Sequence, residues 1–568
     1  MEKHYDTFDV AVIGSGIAGS ALAAILARHG LKVVVFEAKS HPRFAIGESL
    51  ILETSETFRA MAELYDVPEL AFFSAENYFS HIGTSHGVKR HFTFLYHPDE
   101  RGDRTADPSK VLQAVIPKQP HGHELHLYRQ DTDYFLMTVA VRYGAVVLQN
   151  MPVGEVTFTA GGALVKTPGG RCFEAAYVVD AGGFRSVLAD AFDLRHTALQ
   201  THSRAIFTHM IEVPCYHQVR ASQGHYGVPF RFSEGTLHHL FEGGWLWVIP
   251  FNNHARSTNP LCSVGLMLDP RVHPPDSSLE ADEEFHAFIH RFPGLPRQFE
   301  GARAVRTWTR TERIQYGARR IVGDRFCLLG HAAGFIDPLF SKGLYASLYS
   351  VSVLADLLLT ARASGDYSAA AFQPLEQTTQ AFIEQNDRLI ANAYRSFSNY
   401  KLWAPYSVLW LLGAHLELLK LLSVRAQASD RADYYARARV LKLVGGGFAA
   451  FDELARQVYD ILENTRVDVD AEVDRAAAAM KALLEAVPWM PYEFRQVLRG
   501  KNHLNARKLR LSIIRQESGV LGKGAYRDHF FGNASAGQVA RFILREKAKY
   551  SVTALNLRRR RGQRSARS

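Results

Sequence analysis

Phe8-Asp9-Val10-Ala11-Val12-Ile13-Gly14-Ser15-Gly16-Ile17-Ala18-Gly19-Ser20 is the stretch that decides the fold of this chain. Its apolar residues 8–13 read as a strand, a Gly-x-Gly-x-x-Gly turn follows, and residues 20–29 repeat apolar side chains at helical spacing. Residues 32–36 then form a second strand that ends at Glu37. Strand, glycine turn, helix and strand make the opening βαβ unit of a dinucleotide-binding fold. Gly14 permits the tight turn, Gly16 lets the backbone approach a pyrophosphate, and Gly19 allows the helix to pack closely. Ala18 counts with them as a cofactor contact, and Glu37 is placed to accept ribose hydroxyls. On this stretch alone the cofactor is FAD or NAD.

The 568 residues are 47% hydrophobic, enough to bury two or three packed regions. Cys172, Cys215, Cys262 and Cys327 lie far apart with no metal-ligand spacing, which points to a reducing cytoplasm. Charged residues near the start leave no apolar run for a secretory signal. Residues 402–424 are the longest apolar run, but Pro405, His415, Glu417 and Lys420 interrupt it, so a buried or amphipathic helix is expected and no membrane association. The net charge of +9 sits entirely in residues 541–568, where ten Arg and Lys face one acid. That basic end reads as a solvated tail or a contact for an acidic partner, and a nucleic-acid surface is not expected.

Strand-like runs recur at residues 145–148, 175–179, 236–241, 246–249, 263–268 and 326–329, several with the alternation of a half-exposed antiparallel sheet. From about residue 345 nearly everything reads as helix, broken by Gly445-Gly446-Gly447, Pro488 and Pro491. Loops are expected around residues 98–108 and 257–260, and no internal repeat is visible. The expected division is a discontinuous cofactor module (1–60, 110–195, 305–360) and a substrate-side sheet (61–109, 196–304). A helical region (361–550) capping the substrate pocket and a basic tail (551–568) complete it.

Three further segments resemble nucleotide contacts of the p-hydroxybenzoate hydroxylase superfamily, and they decide for FAD. Tyr128-Arg129 with Asp133 and Leu136 resembles the helix whose arginine reaches the flavin. Val179-Asp180-Ala181-Gly182-Gly183 resembles the mid-chain Asp-Ala-x-Gly turn. Gly323-Asp324-Arg325, running on to Gly330-His331-Ala332-Ala333-Gly334, resembles the second FAD signature, which implies that Asp324 holds the ribityl chain. The expected fold class is therefore mixed α/β and α+β: a p-hydroxybenzoate hydroxylase-like, Rossmann-type FAD module, an antiparallel substrate sheet and a mainly helical C-terminal region. One dinucleotide fingerprint leaves two sources of electrons: a pyridine nucleotide that visits transiently, or reduced flavin from another protein.

Four more segments narrow the reading. They are residues 41–49 (His-Pro-Arg-Phe-Ala-Ile-Gly-Glu-Ser), residues 87–92 (Gly-Val-Lys-Arg-His-Phe), residues 235–254 around Gly244-Trp245-Leu246-Trp247-Val248-Ile249-Pro250, and residues 334–341 (Gly-Phe-Ile-Asp-Pro-Leu-Phe-Ser). On these the chain resembles the flavin-dependent halogenases, from about residue 8 to about residue 410. Such enzymes make hypohalous acid from a halide with reduced flavin and O2, then deliver electrophilic halogen to a separate site. That task needs a dry partition and a cationic donor. The resemblance implies that Trp245 and Trp247, on one strand face, form the partition, although an isolated Trp-x-Trp is otherwise a sheet core.

By the same resemblance Lys89, five residues before Phe94, carries the halogen, with Arg90 beside it as a second cation. Ser341-Lys342-Gly343 offers backbone N–H groups to the halide. Arg43, Arg129, Asp180, Gly323, Asp324, Gly334 and Asp337 join the glycines and Glu37 as cofactor contacts, and Glu48 is a flavin-proximal or tunnel residue unless it is a surface carboxylate. Tryptophan halogenases carry Pro-Leu-Glu-Ser where this chain has Pro338-Leu339-Phe340-Ser341, which argues against free tryptophan and for a phenol or pyrrole that loses its ring proton more easily. His238-His239 and His121/His123 lack carboxylate or cysteine partners at ligand spacing, and no metal is expected. Tyr394, Phe397, Tyr400, Trp403 and Trp410 line the pocket or simply form core.

The resemblance thus implies a two-component FADH2-dependent halogenase that uses O2 and chloride or bromide. Its substrate is an electron-rich aromatic of secondary metabolism, a phenylpyrrole or phenol, free or tethered to a carrier protein. Its partner is a separate NAD(P)H-dependent flavin reductase. An aromatic hydroxylase or epoxidase on the same fold is the alternative. A flavin-binding carrier without chemistry is the third reading, and it calls for a damaged nucleotide or halide segment that the sequence does not contain.

Overall fold

The computed structural model describes residues 6–98, 110–118, 122–219, 226–506, 508–509, 524–532 and parts of 534–548. The basic tail 551–568, His121 and most of the 98–108 loop lie outside the described residues.

Strand β1 (Asp6–Ile13) sits at the centre of the first sheet, parallel to β2 (Val33–Phe36) on one side and to β10 (Cys172–Asp180) on the other. Val12 pairs with Val35 and Val179, and Ile13 with Phe36 and Asp180, so the strand carboxyl ends align in one row. The sheet extends through β7 (Val146–Leu148) beyond β2, and through β20 (Phe326–Leu328) and β19 (Val322–Gly323) beyond β10. A hairpin of β8 (Glu155–Phe158) and β9 (Ala163–Lys166) is added to β10. Val10, Ala11, Val12 and Val33 to Phe36 are all buried, because helices α1 (Ile17–Arg28), α4 (Arg129–Tyr143) and α8 (Lys342–Ser364) pack together over this parallel core.

The second sheet runs β16-β12-β15-β14-β13-β4-β5: Arg303–Ala304, Arg204–Ile211, Cys262–Leu268, Gly244–Pro250, Thr236–Phe241, His91–Tyr96 and Val111–Val115. β17 (Thr309–Arg310) also pairs with β12. It is antiparallel except where β13 lies parallel to β4. Small ribbons join β3 (Gly87–Lys89) to β6 (Glu124–His126) and β11 (Arg195–His196) to β18 (Gly317–Ala318).

The half-exposed sheet expected from alternation is corrected here: β13, β14 and β15 are buried along their whole length. Both faces have apolar cover. Trp245, Trp247 and Met267 join the main core, while Leu246, Val248 and Leu266 join a second core with Phe285 and Phe288 of α7 (Ala281–Ile289). Alternation of large and small apolar side chains between two cores imitates the alternation of a wet face.

Short helices α2 (Leu52–Leu64), α3 (Ala75–His81), α5 (Val187–Ala191) and α6 (Tyr216–Val219) connect the sheets. After α8 come α9 (Gln373–Ser396), α10 (Tyr400–Gln427), α11 (Arg431–Ala438), α12 (Ala449–Glu463), α13 (Asp470–Glu485) and α14 (Tyr492–Leu498). α10 carries Pro405 inside its second turn and is 28 residues long. By length and composition α8 and α10 are long and apolar enough to cross a membrane, but 67% of each apolar window is buried within the fold. Gly445 to Gly447, with φ of 82°, 62° and 77°, turn the chain sharply between α11 and α12.

Candidate active site

The row of strand carboxyl ends places Gly14, Gly16 and the start of α1 at one edge of the first sheet. Gly14 has φ 97°, and a Cβ there would lie 2.6 Å from Ala181 O. At Gly19 a Cβ would lie 2.1 Å from Gly14 O, so both glycines are required by the protein's own packing. Gly16 differs: a Cβ would meet nothing closer than Arg43 Nη2 at 3.7 Å and Asp133 Oδ2 at 4.0 Å. The space over Gly16, where Ala18 sits in the first turn of α1, belongs to something other than the chain.

Charged groups converge on that space. Arg43 pairs with Glu37 at 3.1 Å, and its Nε is buried without a hydrogen-bond partner. Glu37 accepts from the Ser15 backbone N–H and hydroxyl, and Arg43 and Ser15 hold its carboxyl below its usual range although burial opposes them. Arg129, at the start of α4, forks onto Asp133 at 2.8 and 3.0 Å and also donates to the carbonyls of Ile46 and Gly47. Helix N-terminus, open glycine and orphaned guanidinium N–H form an anion cradle. The residues present therefore fit the pyrophosphate of a dinucleotide.

Two expected cofactor residues, Gly323 and Asp324, are placed elsewhere, while Asp180 and Asp337 lie at the site but are engaged by protein donors. Asp324 is exposed at the turn between β19 and β20 and caps Ala369 N at 2.8 Å. With Gly323 it lies at the opposite end of β20 from Gly330, so it does not reach the cradle. Position along a strand decides which end of a sheet a residue reaches, and the motif sits one strand length too early. Gly330-His331 occupies the carboxyl end instead. Asp180 spends both oxygens on its own turn, accepting from Gly182 N, Leu188 N and Ser186 Oγ. Asp337 likewise accepts from Leu339 N, Tyr394 OH and Ser203 Oγ, and burial pushes it up to about 6. Both carboxylates accept from the protein's own donors, and Asp337 also lines the cleft beside His331.

His331 was not singled out from sequence. It lines a cleft with Gly334, Phe335, Lys342 and Gly343 at the start of α8. Burial and then Arg129 push it down to about 4, so it is neutral, and its Nε2 has no partner. Ser341 caps α8 with φ 56°, a strained left-handed conformation for a non-glycine residue, and its N–H is already bonded to Pro338 O. The N–H groups of Lys342 and Gly343 are the first-turn donors left without intrahelical partners. The Lys342 side chain turns away from them into an ion pair with Glu53 and Glu417.

Lys89 ends β3 and is fully buried. Its Nζ donates to Ser49 Oγ at 2.7 Å and Leu50 O at 2.8 Å and lies 3.3 Å from the centre of the Phe92 ring. Burial pushes the amine well below its ordinary value, and Glu124 and Glu53 offset part of that. Ser49 also accepts from Ser341 Oγ at 3.2 Å and contacts Thr236 Oγ1 at 3.1 Å. One hydroxyl thus ties Lys89 to the loop that starts α8. Arg90 points away, to Glu234 and over Phe230. Glu48 is buried, not a surface group, and bonds His209 Nε2 at 2.6 Å. Neither Ser49 nor His209 has a sequence signal strong enough to find alone.

Trp245 and Trp247 stand on one face of β14 with ring centres 5.7 Å apart. Trp245 Nε1 donates to Tyr394 OH at 3.1 Å, which donates in turn to Asp337 at 2.9 Å. Trp247 Nε1 donates to Ser263 Oγ at 3.1 Å, and its ring fills the place a Cβ on Gly265 would need. Phe92, Phe94, Phe340, Trp403 and Trp410 meet from β4, the α8 loop and α10, with Phe340 and Trp410 stacked at 4.6 Å. His238 stacks on Phe94 at 4.7 Å within this cluster, and His239 bonds His97 and Gln298.

Known proteins share the sequence and fold of this chain. Residues 99–404 match the tryptophan halogenase family, and residues 12–49 match an NAD(P)-binding Rossmann-like domain. The chain is 39% identical to the monodechloroaminopyrrolnitrin halogenase PrnC of Pseudomonas fluorescens, over 85% of this chain and 86% of that protein. It is 40% identical to the tetracycline 7-halogenase of Kitasatospora aureofaciens, over 76% and 78% respectively. The structure of halogenase PltM in complex with phloroglucinol and FAD superposes with a TM-score of 0.82 at 31% identity, covering 87% of this chain and 99% of that one. The FAD-binding fold and halogenase chemistry with FAD, halide and O2 hold for this protein, and the hydroxylase alternative falls away. The chain belongs to the flavin-dependent halogenases.

Proposed function

We propose that Lys89 carries the halogen to an electron-rich aromatic small molecule, a phenylpyrrole or a phenol, held among the rings of β4 and α10. The observation that carries this is the Lys89–Ser49–Ser341 chain of hydrogen bonds, which links a fully buried amine to the start of α8. FAD, cradled by Gly14, Gly16, Ala18, Glu37, Arg43 and Arg129, supplies when reduced the electrons that let O2 convert halide to hypohalous acid. The N–H groups of Lys342 and Gly343 hold the halide.

Ser49 orients Nζ by accepting one of its N–H bonds, and Leu50 O accepts another. With its basicity lowered by burial, the Lys89 nitrogen either donates a hydrogen bond to hypohalous acid and polarises it, or takes the halogen as a haloamine. Trp245 and Trp247 exclude water and keep the aromatic substrate away from the cofactor. Phe340 stands where a carboxylate would otherwise assist deprotonation, which suits a ring activated by its own hydroxyl or pyrrole nitrogen. The similarity to PrnC favours a free phenylpyrrole, and phloroglucinol in the PltM complex supports a phenol. Reduced FAD comes from a separate flavin reductase, and the enzyme works in the cytoplasm.

The test is a mass-spectrometric product assay with a flavin reductase, FAD, NADH and bromide, offering monodechloroaminopyrrolnitrin and a panel of phenols. A bromine isotope doublet is expected with the native enzyme and none with Lys89→Ala, while FAD still binds the variant. Brominated product from Lys89→Ala overturns the assignment.

A further inference from the structure

The Lys342 side chain is held in a buried cluster that the reaction as described does not use. Its ammonium lies 2.8 Å from Glu53 Oε1 on α2 and 2.5 Å from Glu417 Oε2 on α10, and all three side chains are 6% exposed or less. Glu417 Oε1 has no hydrogen bond, so besides Lys342 only the nearby Tyr345 hydroxyl can offset a full charge there. The hydroxyl of Tyr345, one turn along α8, faces both carboxyls, while Glu124 and Lys89 lie beyond Glu53. Lys420, the next basic residue on α10, is turned to His529 O.

Two carboxylates and one ammonium sum to one negative charge when both acids are ionised. That charge would sit on the carboxylates around the ammonium of the residue whose backbone N–H is offered to the halide. A buried net charge beside an anion site is strongly unfavourable, and a proton on one carboxyl removes it. We propose that Glu417 sets halide affinity: the halide binds at the start of α8 when Glu417 holds a proton, and Glu417 ionisation weakens that binding. This rests on the reading that Lys342 and Gly343 N–H groups hold the halide.

The electrostatics agree in sign and size. Burial raises the Glu417 carboxyl to about 8 although Lys342 pulls it down, so it is protonated at neutral pH. Halide binding and proton binding then favour one another, and affinity falls as pH rises through that value. At roughly 8 Å, the span of a lysine side chain plus one contact, and an effective dielectric of about 20, one added charge weakens an anion by up to about thirtyfold, and on the order of tenfold once salt screening is included.

The experiment measures KM for bromide and kcat separately between pH 7 and 9.5 in the FAD-loaded enzyme, in Glu417→Gln and in Glu53→Gln. Each substitution leaves at most one negative carboxyl against Lys342. The native KM is expected to rise about tenfold across this range, and both variants to stay flat. A crystal grown in bromide locates the anion by anomalous scattering. A peak away from α8 overturns the halide assignment itself. A peak at Lys342 and Gly343 with a flat native KM, or with the same rise in both variants, overturns the role of Glu417.

Discussion

Replacing Tyr394 by Phe tests whether the indole wall and the loop before α8 form one buried network. The Tyr394 hydroxyl takes the Trp245 N–H at 3.1 Å and gives its own proton to Asp337 at 2.9 Å, so its removal breaks two bonds. A buried indole N–H left unpaired costs about 1–3 kcal/mol, and loss of a bond to an ionised carboxylate about 1.5–3 kcal/mol. The expected destabilisation at pH 8 is therefore roughly 3–5 kcal/mol, within the range of severe single substitutions.

Asp337 gives this prediction a pH signature. Its carboxyl sits near 6 in the folded protein against an ordinary 3.8, so the native state binds more protons than the unfolded chain between those values. Stability accordingly falls as pH rises through that window, by about 3 kcal/mol in total. Below about 6 the folded Asp337 is neutral, and the lost hydroxyl contact is worth only about 0.5–1.5 kcal/mol. The penalty of Tyr394→Phe should thus shrink by about 1 kcal/mol at pH 5. Urea unfolding of native and variant protein at both pH values, followed by tryptophan fluorescence, measures it, and a hypohalite-trapping dye added during turnover reports leakage past the loosened wall. A penalty below about 1 kcal/mol at pH 8, or a larger one at pH 5, refutes the network.

Gly16→Ala and Gly19→Ala should separate ligand from fold: the first leaves the unfolding midpoint of FAD-free protein in place and weakens FAD binding, whereas the second, with its Cβ 2.1 Å from Gly14 O, lowers the midpoint. Equilibrium dialysis and thermal unfolding distinguish them, and unchanged FAD affinity in Gly16→Ala counts against the cradle. Asp324→Ala should leave FAD affinity within about twofold of native because it removes an exposed capping bond worth about 1 kcal/mol to the Ala369 turn. A tenfold loss by dialysis would restore Asp324 to the cofactor site.

Much of the architecture was legible because it rests on short-range rules. Strands at 236–241 and 263–268, the glycine turn and the helical change near residue 345 follow from periodicity and local backbone freedom, and each emerges within a few residues of expectation. Trp245 and Trp247 share a face because β-strands alternate. Gly323-Asp324 misled because a dipeptide does not say which end of a strand it occupies. Asp180 and Asp337 were legible as site residues by position, but their carboxylates hold the loop's own donors, which sequence alone does not show.

The sequence by itself determined the βαβ opening and the need for a dinucleotide, which depend on neighbours along the chain; the candidate status of Lys89 and the meaning of Phe340 came from the resemblance to the halogenases. Only the tertiary structure decided that Lys89 is stripped of water and tied through Ser49 to Ser341, 252 positions apart from Lys89 by number (341 − 89), and that Lys342 is locked between Glu53 and Glu417. Desolvation and charge pairing act through space, so the protonation of a lysine or a glutamate is set by whatever distant segments fold against it.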